Sequence, residues 1–253
     1  MKSIFIFLII ASQLLLGLYS WLIKTIPTNL STQMLVRMIT YTVSAIAMGS
    51  LTGHTLVPSL THLITMGSLN TVHILSSYYA FSQLPTTVSL PLFYLYPLIN
   101  VFLSTVFLKN PFTFSTLPWL LFSFVGAVLI VFQKGTISFS PSGIMAILVS
   151  ALTESLIYTV FKSKYEATQF QGLFHLYCGG LIAVLIGRAT NLLEPFEFKQ
   201  EVWKPLVLFN TLVGFIAFSV VTYSIPYMPS ELFASLAFFG VLSAYIFGEL
   251  GKV

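Results

Sequence analysis

The sequence predicts an all-α integral membrane protein with about nine transmembrane helices, and three observations predict it. Of 253 residues, 57% are hydrophobic and 7% charged, whereas a soluble globular domain carries about a quarter charged residues. With a mean hydropathy of +0.93, the chain could not cover the surface of a soluble fold, so lipid must be the solvent for most of its exterior. Apolar stretches of about twenty residues, each closed by Pro, Gly, Lys or a polar cluster, recur from one end to the other.

The first stretch, about 4–24, follows Met1-Lys2 and resembles a signal peptide. No small-x-small cleavage site precedes Trp21 and more apolar stretches follow, so a retained first helix is expected. The second, about 33–53, carries Arg37 in its first turns, and the third, about 58–83, runs from Pro58 to just short of Pro85. The fourth, about 87–108, contains Pro91 and Pro97, each of which removes a backbone donor and bends a helix. The remaining five fall at about 117–133, 142–161, 172–190, 205–225 and 231–248. Connections are short: Pro27 to Thr32, Lys109 to Thr116, Lys134 to Pro141 and Lys162 to Gln171. The longest, Asn191 to Lys204, alternates Glu194, Glu197 and Glu201 with Lys199 and Lys204, and none could fold as a separate soluble domain.

Charge narrows the class. No Asp is present, and seven acidic against eleven basic side chains leave a net +4. That charge, spread over many loops, implies no nucleic-acid partner. Lys and Arg collect on the cytoplasmic side of membrane proteins, but Lys2, Lys109, Lys162 and Lys164 on one side oppose a larger set, partly neutralised in 191–204, on the other. Orientation stays open. Cys178 stands alone in an apolar run, which excludes an internal disulfide and fits a small buried hydrophobe.

A doubled organisation is the next expectation, because many secondary transporters consist of two related halves of opposite topology. Shifting the chain by 144 residues lays Tyr79-Ala-Phe-Ser-Gln-Leu-Pro85 on Tyr223-Ser-Ile-Pro-Tyr-Met-Pro229, and the helices that follow stay aligned. Helices 3 and 4 then pair with helices 8 and 9. Since five helices separate the copies, the second is inverted, and helices 1–4 are expected to superpose on helices 6–9.

Glu154 is the sharpest single residue, about twelve residues into a twenty-residue span and so near mid-bilayer. An ionised carboxylate there costs several kcal/mol unless paired or hydrated. Ser150 and Tyr158 lie one turn to either side, forming a polar stripe that should face away from lipid. A substrate contact or proton carrier is one reading, and a structural carboxyl bonded to neighbouring helices is the other. Arg37 can snorkel to the headgroups or, turned inward, bind an anionic group bidentately. Asn70 and Asn100 are deep amides that either line a path or tie helices together. His73 is a cavity-lining polar group or an interhelical bonding partner; with His62 and His54 it lacks the carboxylate or Cys that a metal site needs, so no metal is expected. The prolines make helix 4 the leading cavity wall, with Tyr94 and Tyr96 beside it. Tyr78, Tyr79, Tyr223 and Tyr227 sit near helix ends, where an interfacial aromatic belt explains them. Glu231 suits the first turn of its helix. Neither G-x-S-x-G nor H-E-x-x-H occurs, so an enzyme is not expected.

Several stretches resemble EamA-type permeases of the drug/metabolite transporter superfamily: Arg37, Tyr78-Tyr79-Ala80 to Pro85, and Leu92-Phe-Tyr-Leu-Tyr-Pro97-Leu-Ile with Phe107-Leu108. Gly126-Ala-Val-Leu-Ile, Gly143 to Tyr158 and Pro229 to Glu249 add to the likeness. The resemblance implies two inverted five-helix halves around a central cavity, here 1–134 (helices 1–5) and 135–253 (helices 6–9), with the tenth helix missing because the open reading frame is truncated or the helix lost. It departs from the family where Lys109 and Asn110 replace an acidic end to helix 4, and Glu249 matches the family's terminal acid only loosely. The implied function is alternating-access movement of a small metabolite or drug-like solute, with proton coupling as an option and no cofactor. Substrate or coupling contacts are expected at Glu154, Tyr158, His73, Tyr94, Tyr96, Asn100 and Arg37. Expected partners are the solute and the bilayer, with a homodimer left open. The alternatives are a nucleotide-sugar or phosphate-ester carrier of the same superfamily, for which deep basic residues are scarce, and a non-transporting membrane scaffold.

Overall fold

The computed structural model describes residues 2–109, 117–132, 140–165 and 168–250. Most of the predicted connection 109–116, the 134/135 boundary between halves, part of 162–171 and the side chain of Glu249 lie outside the described part. Every regular element among the described residues is helical. In chain order they are α1 (Lys2–Leu16), α2 (Tyr19–Thr25), α3 (Leu30–Leu51), α4 (Leu60–Gln83), α5 (Thr86–Phe93), α6 (Tyr96–Leu108), α7 (Leu117–Phe132), α8 (Pro141–Lys164) and α9 (Gln169–Ala189). There follow α10 (Gln200–Phe209), a π-helical turn (Asn210–Phe215), α11 (Ile216–Ser224), a 3-10 turn (Ile225–Tyr227), α12 (Ser230–Ala237) and α13 (Phe239–Leu250). Among the described residues, five helical stretches are long and apolar enough to cross a bilayer: Leu30–Leu51, Val88–Leu108, Pro141–Lys164, Gln169–Ala189 and Gln200–Tyr227.

Local chemistry sets the boundaries. Asn29 caps α3 by accepting the Thr32 amide at 2.8 Å, and Ser140 caps α8 by accepting the Gly143 amide at 3.2 Å, with Pro141 in the first turn where it forfeits no bond. Lys109 closes α6 in the left-handed region, φ 53°.

Three predicted helices are not continuous. The first (4–24) breaks at Gly17-Leu18, the fourth (87–108) at Tyr94-Leu95, and the ninth (231–248) at Phe238. In the fourth, Pro97 supplies no amide and disfavours helical geometry before it, so the chain passes through a tighter turn in which Leu95 bonds Leu92 and Leu98 bonds Leu95. The long connection is shorter than predicted: α10 starts at Gln200 and holds Pro205 inside it. The break in the ninth helix mirrors that in the fourth. Both α5 and α12 are eight-residue helices that follow a proline, and Thr86–Phe93 lies 144 residues before Ser230–Ala237.

Packing buries polar groups within an apolar core and leaves many large apolar side chains exposed. The central helix α4 lies along α8 and α9, α3 lies along α9, and α6 along α8. At the α4–α9 crossing Gly67 meets Gly179, and a Cβ on either would enter the other helix's backbone. Gln13, Arg37, Asn70, His73, Asn100, Glu154 and Asn210 are buried, while Ile64, Phe102, Phe122, Leu129, Met145, Leu185 and Leu212 are exposed. An apolar exterior with polar groups sheltered inside is what a hydrocarbon solvent selects.

Candidate functional site

Glu154 points into a cavity of about 50 Å³ at the centre of the bundle. Its wall is assembled from the broken helices: Gln13 and Leu16 of α1, Tyr19 of α2, Leu90 and Phe93 of α5, and Tyr96 of α6, with Tyr94 at the break between the last two. Arg37 of α3, His73, Ser77, Tyr78 and Phe81 of α4, Glu154 and Tyr158 of α8 and Phe218 of α11 complete it. A volume of this size holds a few water molecules but not a metabolite.

One end of the cavity is acidic. His73 Nε2 lies 3.3 Å from Glu154 Oε2, and both side chains are 7% exposed. On the far side of the imidazole, Nδ1 lies 3.2 Å from both the carbonyl oxygen and the hydroxyl of Ser150. A neutral His73 that donates Nε2–H to the carboxylate can accept the Ser150 hydroxyl proton at Nδ1. A doubly protonated His73 can keep the first bond and donate Nδ1–H to the Ser150 carbonyl. Each proton count therefore has a partner already in place.

The other end is basic and aromatic. Arg37 is 7% exposed, so the inward of its two expected orientations is the one adopted. Its guanidinium carbon lies 4.5 Å from the centre of the Tyr19 ring, 5.2 Å from Tyr41 and 5.9 Å from Tyr78, and Nη1 lies 3.4 Å from the Tyr78 hydroxyl. Tyr19 bonds Tyr41 and also Asn210 Oδ1, at 2.9 Å, while Asn210 Nδ2 donates to the Leu206 carbonyl at 2.8 Å. Leu206 is one turn before the π-helical turn, so the amide serves a carbonyl at the edge of that irregular register.

Between these ends stand Tyr94, Tyr96 and Tyr158. The hydroxyls of Tyr94 and Tyr96 each donate to Gln13 Oε1 at 3.4 Å, and Tyr96 packs on Tyr158 with ring centres 5.5 Å apart. Asn100 does not reach the cavity: its amide donates to the Ser155 carbonyl at 3.1 Å and lies 3.3 Å from Thr159 Oγ1, tying α6 to α8. Asn70 likewise ties α4 to the Leu176 carbonyl of α9, at 3.1 Å.

Sequence reasoning misplaced Tyr78, which is buried on the cavity wall although Tyr79, Tyr223 and Tyr227 stay partly exposed. It also passed over Gln13, Tyr19 and Tyr41. The lone amide of Gln13 in an apolar run was a signal of the same kind as Glu154. His62 and His73 diverge: His62 stacks on His175 with ring centres 5.3 Å apart, while His73 meets Glu154. Among the described residues no three His, Cys, Asp or Glu side chains converge as a metal site would require.

The model of the EamA-like transporter family matches residues 3–132. The uncharacterized transporter YdfC of Bacillus subtilis (strain 168) is 39% identical over 69 residues, a stretch spanning 27% of this chain and only 22% of that protein's length. A solved crystal structure superposes with a TM-score of 0.79, covering 98% of this chain and 89% of its own, at 17% identity. At that identity the likeness shows the fold alone.

Proposed function

Since the chain belongs to the EamA-like transporter family, we propose that it moves a small metabolite or drug-like solute through the central cavity by alternating access, with the His73–Glu154 pair as proton carrier. The observation that carries this reading is the pair itself: a carboxylate and an imidazole at membrane depth, 3.3 Å apart, facing a cavity rather than lipid. Ser150 offers a partner for either protonation state of His73, so proton gain and loss need little rearrangement.

A cavity of about 50 Å³ is too small for a metabolite, so this reading requires it to open further. Opening requires movable elements: the break at Tyr94-Leu95 divides a helix that lines the cavity, and that at Phe238 divides one packed behind it, with Phe233 against Tyr158 and Gly240 against Tyr94. Two inverted halves, 1–134 and 135–253, with about nine spans, account for the recurrence of these breaks at a 144-residue interval. Tyr94, Tyr96 and Tyr158 act as solute contacts in this reading, while Asn100 positions α6 against α8. The remaining partner is the bilayer.

The test is pH-driven efflux from proteoliposomes loaded with a mixture of small metabolites and read by mass spectrometry. The wild type should deplete particular solutes under a proton gradient. Glu154→Gln, which keeps shape but cannot carry the proton, should stay folded and lose the gradient-driven part. Equal depletion by both proteins would remove Glu154 from coupling.

A further inference from the structure

The cavity contains a charge that the proton-carrier reading does not use. Arg37 is more than nine-tenths buried, and among the described residues it forms no ion pair, the carboxylate on the same cavity being held by His73. Its Nε has no hydrogen-bond partner. Three tyrosine rings surround the guanidinium and stabilise a cation without neutralising it; the Tyr78 hydroxyl accepts one Nη1 proton at 3.4 Å and leaves Nε unserved. A permanent cation at membrane depth ordinarily pairs with an anion or lines the path of one.

We infer that Arg37 is the anion-binding residue of the cavity and that the transported solute carries a carboxylate which docks on the guanidinium edge beside Tyr78. This deepens the transport reading and rests on it. A planar carboxylate presents two acceptor oxygens to the guanidinium fork, whereas Lys would offer only a point charge. The charge count selects a monoanion. Among the described residues Arg37 is the only Lys or Arg that lines the cavity, and Glu154 lines its other end. A phosphate ester, at about −1.5 to −2 near neutral pH, would leave uncompensated negative charge in a site of low dielectric. The same count couples the two ends: a proton added to the His73–Glu154 pair makes the cavity more positive and favours an anion on Arg37.

Ligand-dependent thermal stability of the purified full chain in detergent at pH 7 tests this, because a solute that binds only the folded state raises the Tm with its concentration. The probes are acetate, its neutral isostere acetamide, inorganic phosphate, and chloride at matched ionic strength. Acetate should raise the Tm saturably while the other three do not. Arg37→Lys should weaken the acetate response roughly 10-fold through loss of the bidentate fork, and Arg37→Gln should abolish it. Equal responses to acetate and acetamide, a stronger response to phosphate, or an undiminished acetate response in Arg37→Lys or Arg37→Gln would each overturn the assignment. If Arg37→Gln does not fold, the four-probe comparison in the wild type and Arg37→Lys still decides. Acetate binding without solute depletion from proteoliposomes would sink the transport reading and leave the anion site standing; depletion indifferent to a carboxylate would do the reverse.

Discussion

At the residue scale, the cavity depends on side chains held in narrow space, and glycine sets one limit. Gly240 of α13 is where the Tyr94 ring passes, and a Cβ there would collide with the phenol. Because Tyr94 is buried and bonded to Gln13, it cannot swing away freely. Gly240→Ala should therefore lower stability by about 1–3 kcal/mol, the usual cost of overpacking. Thermal unfolding in detergent reads this, and Tyr94→Phe in the same chain should recover part of the loss by removing the colliding hydroxyl. An unchanged Tm for Gly240→Ala would show that the ring moves at no cost. Individual residues were legible to different degrees. Glu154 and Gln13 stand out because a polar group in a long apolar run must find a partner wherever it lies. Arg37 did not reveal its orientation, because one turn of a helix near the membrane surface permits both snorkelling and burial. What decides is the tyrosines of α2, α3 and α4 that converge on it, and convergence is a tertiary property.

At the scale of elements, helix positions were largely readable from hydropathy, whereas the number of membrane spans and the breaks within helices were not. Pro91 and Pro97 announced a bend in the fourth stretch, but Phe238 has no such marker, and its break shows itself only through the 144-residue relation to Tyr94. The connection between α9 and α10 illustrates another gap. Its alternating charges looked like a solvated loop, yet Glu197 Oε1 accepts the Asn29 amide at 3.1 Å, its own amide bonds Thr32 Oγ1 at 2.9 Å, and Trp203 Nε1 donates to its carbonyl at 2.6 Å. The loop is thereby latched to the start of α3. The Asn29 bond holds the Glu197 carboxyl below the ordinary carboxylate range, helped by Lys199 at 3.5 Å. A depressed folded-state value means that the latch is present above the unfolded carboxylate range, near 4, and is lost as pH falls through the lower folded value. Exchange of the Asn29 amide, corrected for its intrinsic pH dependence, should accelerate in acid in the wild type. In Glu197→Gln that corrected rate should not vary with pH, and a wild type equally insensitive would mean that the carboxylate is not the latch.

For the whole molecule, the helical bundle brings buried polar residues to one small cavity, with the His73–Glu154 pair at one end and, at the other, Arg37, which forms no ion pair among the described residues. The central claim is that this cavity opens in turn to the two sides of the membrane. Ser77 lies on the cavity wall and is buried, and the chain has one cysteine, Cys178. A Cys178→Ser chain carrying Ser77→Cys can therefore report access to the cavity alone. The direct measurement is labelling of this chain in proteoliposomes by a membrane-impermeant maleimide supplied from one side at a time. The account predicts labelling from either side, with the balance between sides shifting when the proton gradient is reversed; labelling from one side only, or from neither, would contradict it.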